Sequence, residues 1–354
     1  MEFLKNGSEY ISGLIADAVK NGHRTVTVTG NYEIDSSVRL PSDFELVLED
    51  CHLRMADGVY DNMFVNEHHG TSVGRTVAGT DRNIRITGKG VAILDGGNYN
   101  GLSEKNHLTN GLPPIWKNNL VLFTNVDGFA VGNIACHDQR WWAINLIYCR
   151  NGRLFDIDFK ACDISIDRDG NEYHGLIRER YAEVLVKNAD GIDLRQGCNN
   201  ITIEHITGFT EDDTVALTNL NGRLEREYAV AGLSSDICNV TIRDIKTSAY
   251  CSIVRLLNQG EERLHDIVIE DVYDTSAESP YMDSGNFALR VGDGGHLYGS
   301  RHSTANETYN ITVRRIYGRG KAVLHLAGEI GNLVIENAIA ANGTPLVDDH
   351  RTAL

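Results

Sequence analysis

Proline is scarce in this chain, with only 5 among 354 residues, and no stretch rich in serine, glycine or proline separates two parts of different composition. No linker is expected, so residues 1–354 read as a single domain. The 7 cysteines are odd in number and include no Cys-x-x-Cys pair, which speaks against a disulfide framework or a zinc site. Cys149, Cys198 and Cys238 each stand two or three residues before a repeated apolar position. They are expected to stack as small buried side chains at equivalent corners. No apolar run is long enough to span a bilayer. The N-terminus lacks the basic start, apolar core and small-residue cleavage site of a signal peptide, so the expected compartment is the cytoplasm, with no membrane partner. Positive charge is also short: 33 Lys and Arg face 49 Asp and Glu, a net charge of −16. A nucleic-acid partner, which needs clustered Lys and Arg, is not expected.

What the chain has is a repeat. A six-residue pattern (apolar, any, apolar, any, any, apolar) recurs, usually directly after Asn. Clear copies begin at Asn200-Ile201, Asn239-Val240, Asp266-Ile267, Asn310-Ile311 and Asn332-Leu333, with others at Asn83-Ile84 and Gly128-Phe129 and a weaker one at Asn151-Gly152. The first apolar positions are separated by one or two multiples of about 22–25 residues, with insertions, the length of one turn of a parallel β-helix. The alternation and the β-branched residues are strand signals. Asn tolerates left-handed backbone and forms ladders, which suits a repeated corner, and the 35 Gly fit many tight corners. The expected fold is all-β: a right-handed parallel β-helix, a solenoid. Its first turn needs a cap. Residues 1–22 supply one, a helix over 2–20 with Phe3, Leu4, Ile11, Leu14, Ile15, Ala18 and Val19 on one stripe.

On this coil three carboxylates are brought together. Asp190, in Asn188-Ala189-Asp190-Gly191-Ile192-Asp193, and the pair Asp212-Asp213 stand at strand starts about one turn apart. Metal-free glycoside hydrolysis needs such a set, one protonated acid for the leaving oxygen and ionised carboxylates to activate water. Like charges held close raise at least one pKa, which produces the donor. Inversion calls for about 6.5–9.5 Å between acid and base carboxyls. Asp193, two residues after Asp190, reads as a supporting carboxylate or a corner residue.

Over about residues 25–340 the chain resembles the polygalacturonase-like family of inverting glycosidases, glycoside hydrolase family 28. Asn188-Ala189-Asp190 resembles the family's Asn-Thr-Asp, and Glu211-Asp212-Asp213 its Gly-Asp-Asp. Gly90-Val91-Ala92-Ile93-Leu94-Asp95-Gly96-Gly97 and Asp138-Gln139-Arg140-Trp141-Trp142-Ala143-Ile144 resemble two upstream features. The resemblance implies a right-handed β-helix, Asp212 as the general acid and Asp190 with Asp213 as the residues that position water. Two motifs depart. The family's Gly-His-Gly is replaced within Ser248–Arg255, and its Arg-Ile-Lys reads Arg290-Val291-Gly292. The family uses that Arg and Lys on a uronate carboxylate, so plain galacturonan is an unfavoured substrate.

Asn188 and Arg290 follow as substrate-binding candidates, and Arg255 as a cation in place of the missing His. His174, Arg178 and Arg180 lie in an insertion, Asp167–Glu183, of the kind that carries specificity beside a rigid scaffold. Trp116, Trp141, Trp142, Tyr281 and Tyr298 are candidates for stacking on sugar rings. The expected activity is hydrolysis of a pectin-derived or related oligosaccharide without cofactor or metal. The alternatives are a calcium-dependent polysaccharide lyase and a non-catalytic carbohydrate-binding β-helix.

Overall fold

The residues that stand just before the repeat form one column of left-handed backbone. Asp43, Asn83, Gly128, Asn151, Asn200, Asn239, Asp266, Asn310 and Asn332 all have φ between 50° and 83°. Their side chains bond along the column: Asn83 Nδ2 donates to Asp43 Oδ1 (2.7 Å), Asn310 to Asp266 (2.9 Å) and Asn332 to Asn310 (2.8 Å). Asn and Asp pay little for this conformation, and the ladder satisfies their amides. At Gly128 (φ 83°) an added Cβ would lie 2.5 Å from Asn83 Oδ1, so that side chain would have to move to admit one.

The computed structural model describes residues 2–97, 117–139, 142–161, 190–220, 226–259, 262–279, 285–293 and 301–351, with the backbone alone at 165–166 and 172–173. The repeat positions pair in register from strand to strand: Ile84, Phe129, Gly152, Ile201, Val240, Ile267, Ile311 and Leu333 are successive Cα partners. Phe44 stands ahead of them as partner of Ile84. Two ten-stranded parallel sheets result, and the chain alternates between them as a right-handed parallel β-helix. Strands of the first sheet, such as Asn199–Thr210 and Ile237–Ala249, bend at a second left-handed residue, His205 and Asp244 in these two.

Every gap between repeat positions is one turn. The long gaps are single turns whose corners carry insertions, where one or two turns had been expected. Gly152, the weak copy, is explained by its neighbour: a Cβ there would sit 2.0 Å from the Phe129 ring, which fills the space of two side chains. Between the sheets, Ile, Val and Leu from both inner rows form one continuous core. Cys149 and Cys198 stack at one corner as expected, their thiols directed at the carbonyls of Phe123 and Leu146. Cys238 does not join them: Asn199 is its register partner, and it is only partly buried.

The capping helix spans Gly7–Lys20 and starts later than expected. Asn6 is left-handed, and Leu4 is extended instead, its N–H donating to the Asn31 carbonyl and its own carbonyl accepting from Glu33. Ile11, Ile15 and Ala18 cover the first coil, whereas Leu4 and Val19 are exposed. Ser8 Oγ accepts from the amides of Asp35 and Ser36 and ties the helix down.

Candidate functional site

The second sheet carries the candidate site. Its inner row runs Ile144, Ile192, Val215, Val254, Leu289, Leu324, all in the core. Strand alternation turns the next residue of each strand to the opposite face. That row reads Asn145, Asp193, Ala216, Arg255, Arg290, His325, Asp348. Residues far apart in sequence, of little note singly, thus form one line that carries five ionisable side chains, Asp193, Arg255, Arg290, His325 and Asp348.

Asp190 begins its strand, Asp190–Arg195, and Asp212 and Asp213 lie in the turn before the strand Val215–Asn219. The coils are adjacent: the Gly191 amide donates to the Asp213 carbonyl (3.0 Å), and the Asp213 amide donates to Asp190 Oδ1 (2.9 Å). A hydroxyl chain steadies the turn, with Thr210 Oγ1 and Thr214 Oγ1 2.9 Å apart, Thr214 and Thr247 3.1 Å apart, and Thr210 donating to the Asp212 carbonyl (3.3 Å). Asp190, Asp212 and Asp213 each offer an oxygen within 4.8 Å of the others. Asp190 and Asp213 are buried and Asp212 is half-buried. The separation of these closest oxygens is shorter than the carboxyl spacing of about 6.5–9.5 Å usual for inversion.

Burial, and then the neighbouring Asp212, Asp193 and Asp213, push the Asp190 carboxyl well above the usual carboxylate range. Asp193 is pushed up to about 7, chiefly by burial, against the pull of Arg195. Arg195 Nη2 donates to Asp193 Oδ1 (3.3 Å), and its guanidinium lies 3.9 Å over the Trp142 ring. Trp142 is buried, so the face expected to stack on a sugar is covered by Arg195.

Arg255 reaches the acids as expected for a replacement cation, with Nη1 3.5 Å from Asp213 Oδ2. Its Nη2 donates to Asp293 Oδ2 (2.7 Å), and Arg290 donates to the other oxygen of Asp293. Asp293, buried and not anticipated from the sequence, is therefore a common counter-ion for both arginines. Only their shared row could have signalled it. Gly292 stands beside it with φ 68°, and an added Cβ would be 2.6 Å from the Ala327 carbonyl. Cys251 lies within Ser248–Arg255, the segment where Gly-His-Gly is missing. Its thiol is pushed well above the usual range, first by burial and then by Asp212 and Asp213, so it is no thiolate. Asn188, His174, Arg178 and Arg180 lie outside the described residues, as do Trp116, Trp141, Tyr281 and Tyr298.

The acid trio is also the set that could hold a hard cation. Calcium needs six or more oxygens, and here Arg255 already supplies positive charge beside the acids.

No protein-family model matches the chain, and no curated protein matches it. Solved structures do. A 1,3-α-1,4-β-D-galactose-4-sulfate-3,6-anhydro-D-galactose-2-sulfate 4 galactohydrolase aligns at TM-score 0.62 and 12% identity, covering 98% of this chain and 86% of that one. The polygalacturonase of Erwinia carotovora ssp. carotovora aligns at TM-score 0.53 and 13% identity, covering 98% and 96%. A mutant tailspike protein of E. coli bacteriophage HK620, in complex with a pentasaccharide, aligns at TM-score 0.54 and 13% identity, covering 99% and 64%. In fold, this chain stands among the right-handed parallel β-helices that include these proteins.

Proposed function

We propose that this protein is a glycoside hydrolase of polygalacturonase-like type. One observation carries the reading: carboxylates from two adjacent coils, Asp190, Asp212 and Asp213, offer oxygens within 4.8 Å of one another, with Arg255 beside them. Such a group cannot all ionise, so it retains a proton for the leaving oxygen and keeps negative charge for water and for the oxocarbenium-like transition state. Asp212, half-buried and nearest to solvent, is the acid that the resemblance implies, and Asp190 with Asp213 hold the water. Glycosidases among the similar folds support the class of chemistry and leave the substrate open.

The substrate is a pectin-derived or related oligosaccharide, short rather than polymeric, taken from its non-reducing end, with the cytoplasm as the compartment assumed. A neutral or differently decorated sugar is preferred to plain polygalacturonate, because Gly292 brings no cation and Arg255 and Arg290 are already held by Asp293. A screen of aryl-glycosides and pectic oligosaccharides, read by proton NMR of the first-formed anomer, tests this. Hydrolysis with inversion supports the reading in full. Retention would leave hydrolysis standing but overturn the inverting assignment. An unsaturated product would indicate lyase chemistry, and sugar binding without turnover of any glycoside would leave a binding β-helix.

A further inference from the structure

At the far end of the charged row, away from the acids, His325 is the register partner of Asp348. His350 lies two residues further along the same strand and so on the same face. His325 Nδ1 and Asp348 Oδ2 are 2.8 Å apart, and His350 Nε2 and Asp348 Oδ1 are also 2.8 Å apart. One carboxylate is thus flanked by two imidazoles, with one ligand atom from each of the three residues within 4.8 Å of the others. We propose that His325, Asp348 and His350 bind a zinc-type transition-metal ion that clamps the strand Val347–Arg351 to the strand Ala322–Gly328.

The donor set is the argument. Two imidazoles and one carboxylate are a three-ligand zinc set with a fourth position left for water. Zinc–ligand bonds of about 2.0–2.2 Å require the ligand atoms to draw together from their present spread. Asp348 is part-exposed and His350 exposed, so both are free to move inward. His325 is different: it is 6% exposed, and its Nε2 has no hydrogen-bond partner. The ring is retained where its Nδ1 meets the carboxylate. The clamp also has mechanical sense. Among the described residues Val347–Arg351 pairs on one side only, with Ala322–Gly328. A tripod with one ligand on one strand and two on the next holds that pair where the sheet has no further neighbour. A comparable triad, Glu67, His68 and Asp81, is explained without metal, since Asp81 is already satisfied by Ser42, Asn66 and the His68 amide.

The test uses the whole chain, stripped with a chelator and then titrated with Zn²⁺ by calorimetry and with Co²⁺ by visible absorption. One zinc per chain, a Co²⁺ spectrum of tetrahedral intensity and a melting temperature several degrees higher at saturating zinc are expected. His350→Ala, on an exposed ring, should fold as the parent does in metal-free buffer. It should bind zinc at least about 100-fold more weakly and lose the melting shift. No binding at about 0.1 mM zinc, or His350→Ala binding and shifting like the parent, would overturn the proposal; the latter would assign the metal to other histidines among the 13 of the chain.

Discussion

The backbone N–H of Asp213 donates to Oδ1 of Asp190 at 2.9 Å, so the two coils that bear the candidate acids are joined through the acids themselves. Asp190→Asn keeps an oxygen acceptor for that amide, and Asp212→Asn alters a half-buried side chain; both variants should fold. Each should lower turnover by about 10²–10⁴-fold. The two differ in what restores activity. If Asp212 is the general acid, Asp212→Asn should recover most of its rate on aryl-glycosides whose leaving group needs no proton, and Asp190→Asn should not. The reverse pattern would make Asp190, whose pKa burial and its acidic neighbours raise, the acid.

Asp193 makes stability depend on pH. Its folded pKa, pushed up to about 7, lies above the ordinary 3.8. The folded state therefore binds the proton more tightly than the unfolded chain. The resulting stabilisation is fully present below about pH 4 and is lost as pH rises through about 7. Asp193→Asn, which cannot ionise, should flatten that part of the curve, with a gain over the parent of at most about 4 kcal/mol above pH 8. Chemical unfolding at steps from pH 4 to 9 measures this. A variant that loses stability in parallel with the parent would show that Arg195 keeps Asp193 ionised throughout.

Gly292 cannot simply be returned to lysine. Left-handed backbone at φ 68° and a carbonyl 2.6 Å from the would-be Cβ oppose any side chain there. Gly292→Lys should destabilise the protein by about 2 kcal/mol or more and should not raise kcat/KM on polygalacturonate. A variant as stable as the parent and faster on that polymer would show that the loop readily adopts another path.

The corner ladder separates conformational from hydrogen-bonding cost. Asn310 donates to Asp266 and accepts from Asn332, at φ 53°. Asn310→Gly and Asn310→Ala both lose these two bonds, but only Ala also pays for left-handed backbone. Ala should therefore be the less stable of the two by about 1–2 kcal/mol in urea unfolding. Equal losses would mean that the corner relaxes to another conformation.

The fold was legible because the coil repeats a physical demand. A left-handed corner followed by inward apolar residues leaves Asn-Ile-x-Ile in the sequence, and every such position fell in one column. Phe44, the partner of Ile84 and preceded by left-handed Asp43, was not read as a copy. Gly152 looked weak because packing across coils, not its own side chain, decides it. The acids were legible through their motifs. The contacts of Asp293 with Arg255, of Arg195 with Trp142 and of His325 with Asp348 were not, because they join residues of different coils. Which residues become partners depends on where each corner ends, which local pattern does not report. Trp142 was misjudged for the same reason, since the guanidinium that covers it arrives from the next strand.

The distance from position 129 to 152 and that from 152 to 201 are both one turn, although the second is more than twice as long. Length added at a corner therefore leaves the rod unchanged: the next strand docks on the same rung with the same residue facing out. What heredity must preserve is a backbone permission at each corner and an oily residue at each inward step, and many residues meet both conditions. Loops can be exchanged and surfaces rewritten while the order of rungs persists. On these terms 12% identity and a TM-score of 0.62 belong together, because this architecture depends on a rhythm more than on a text.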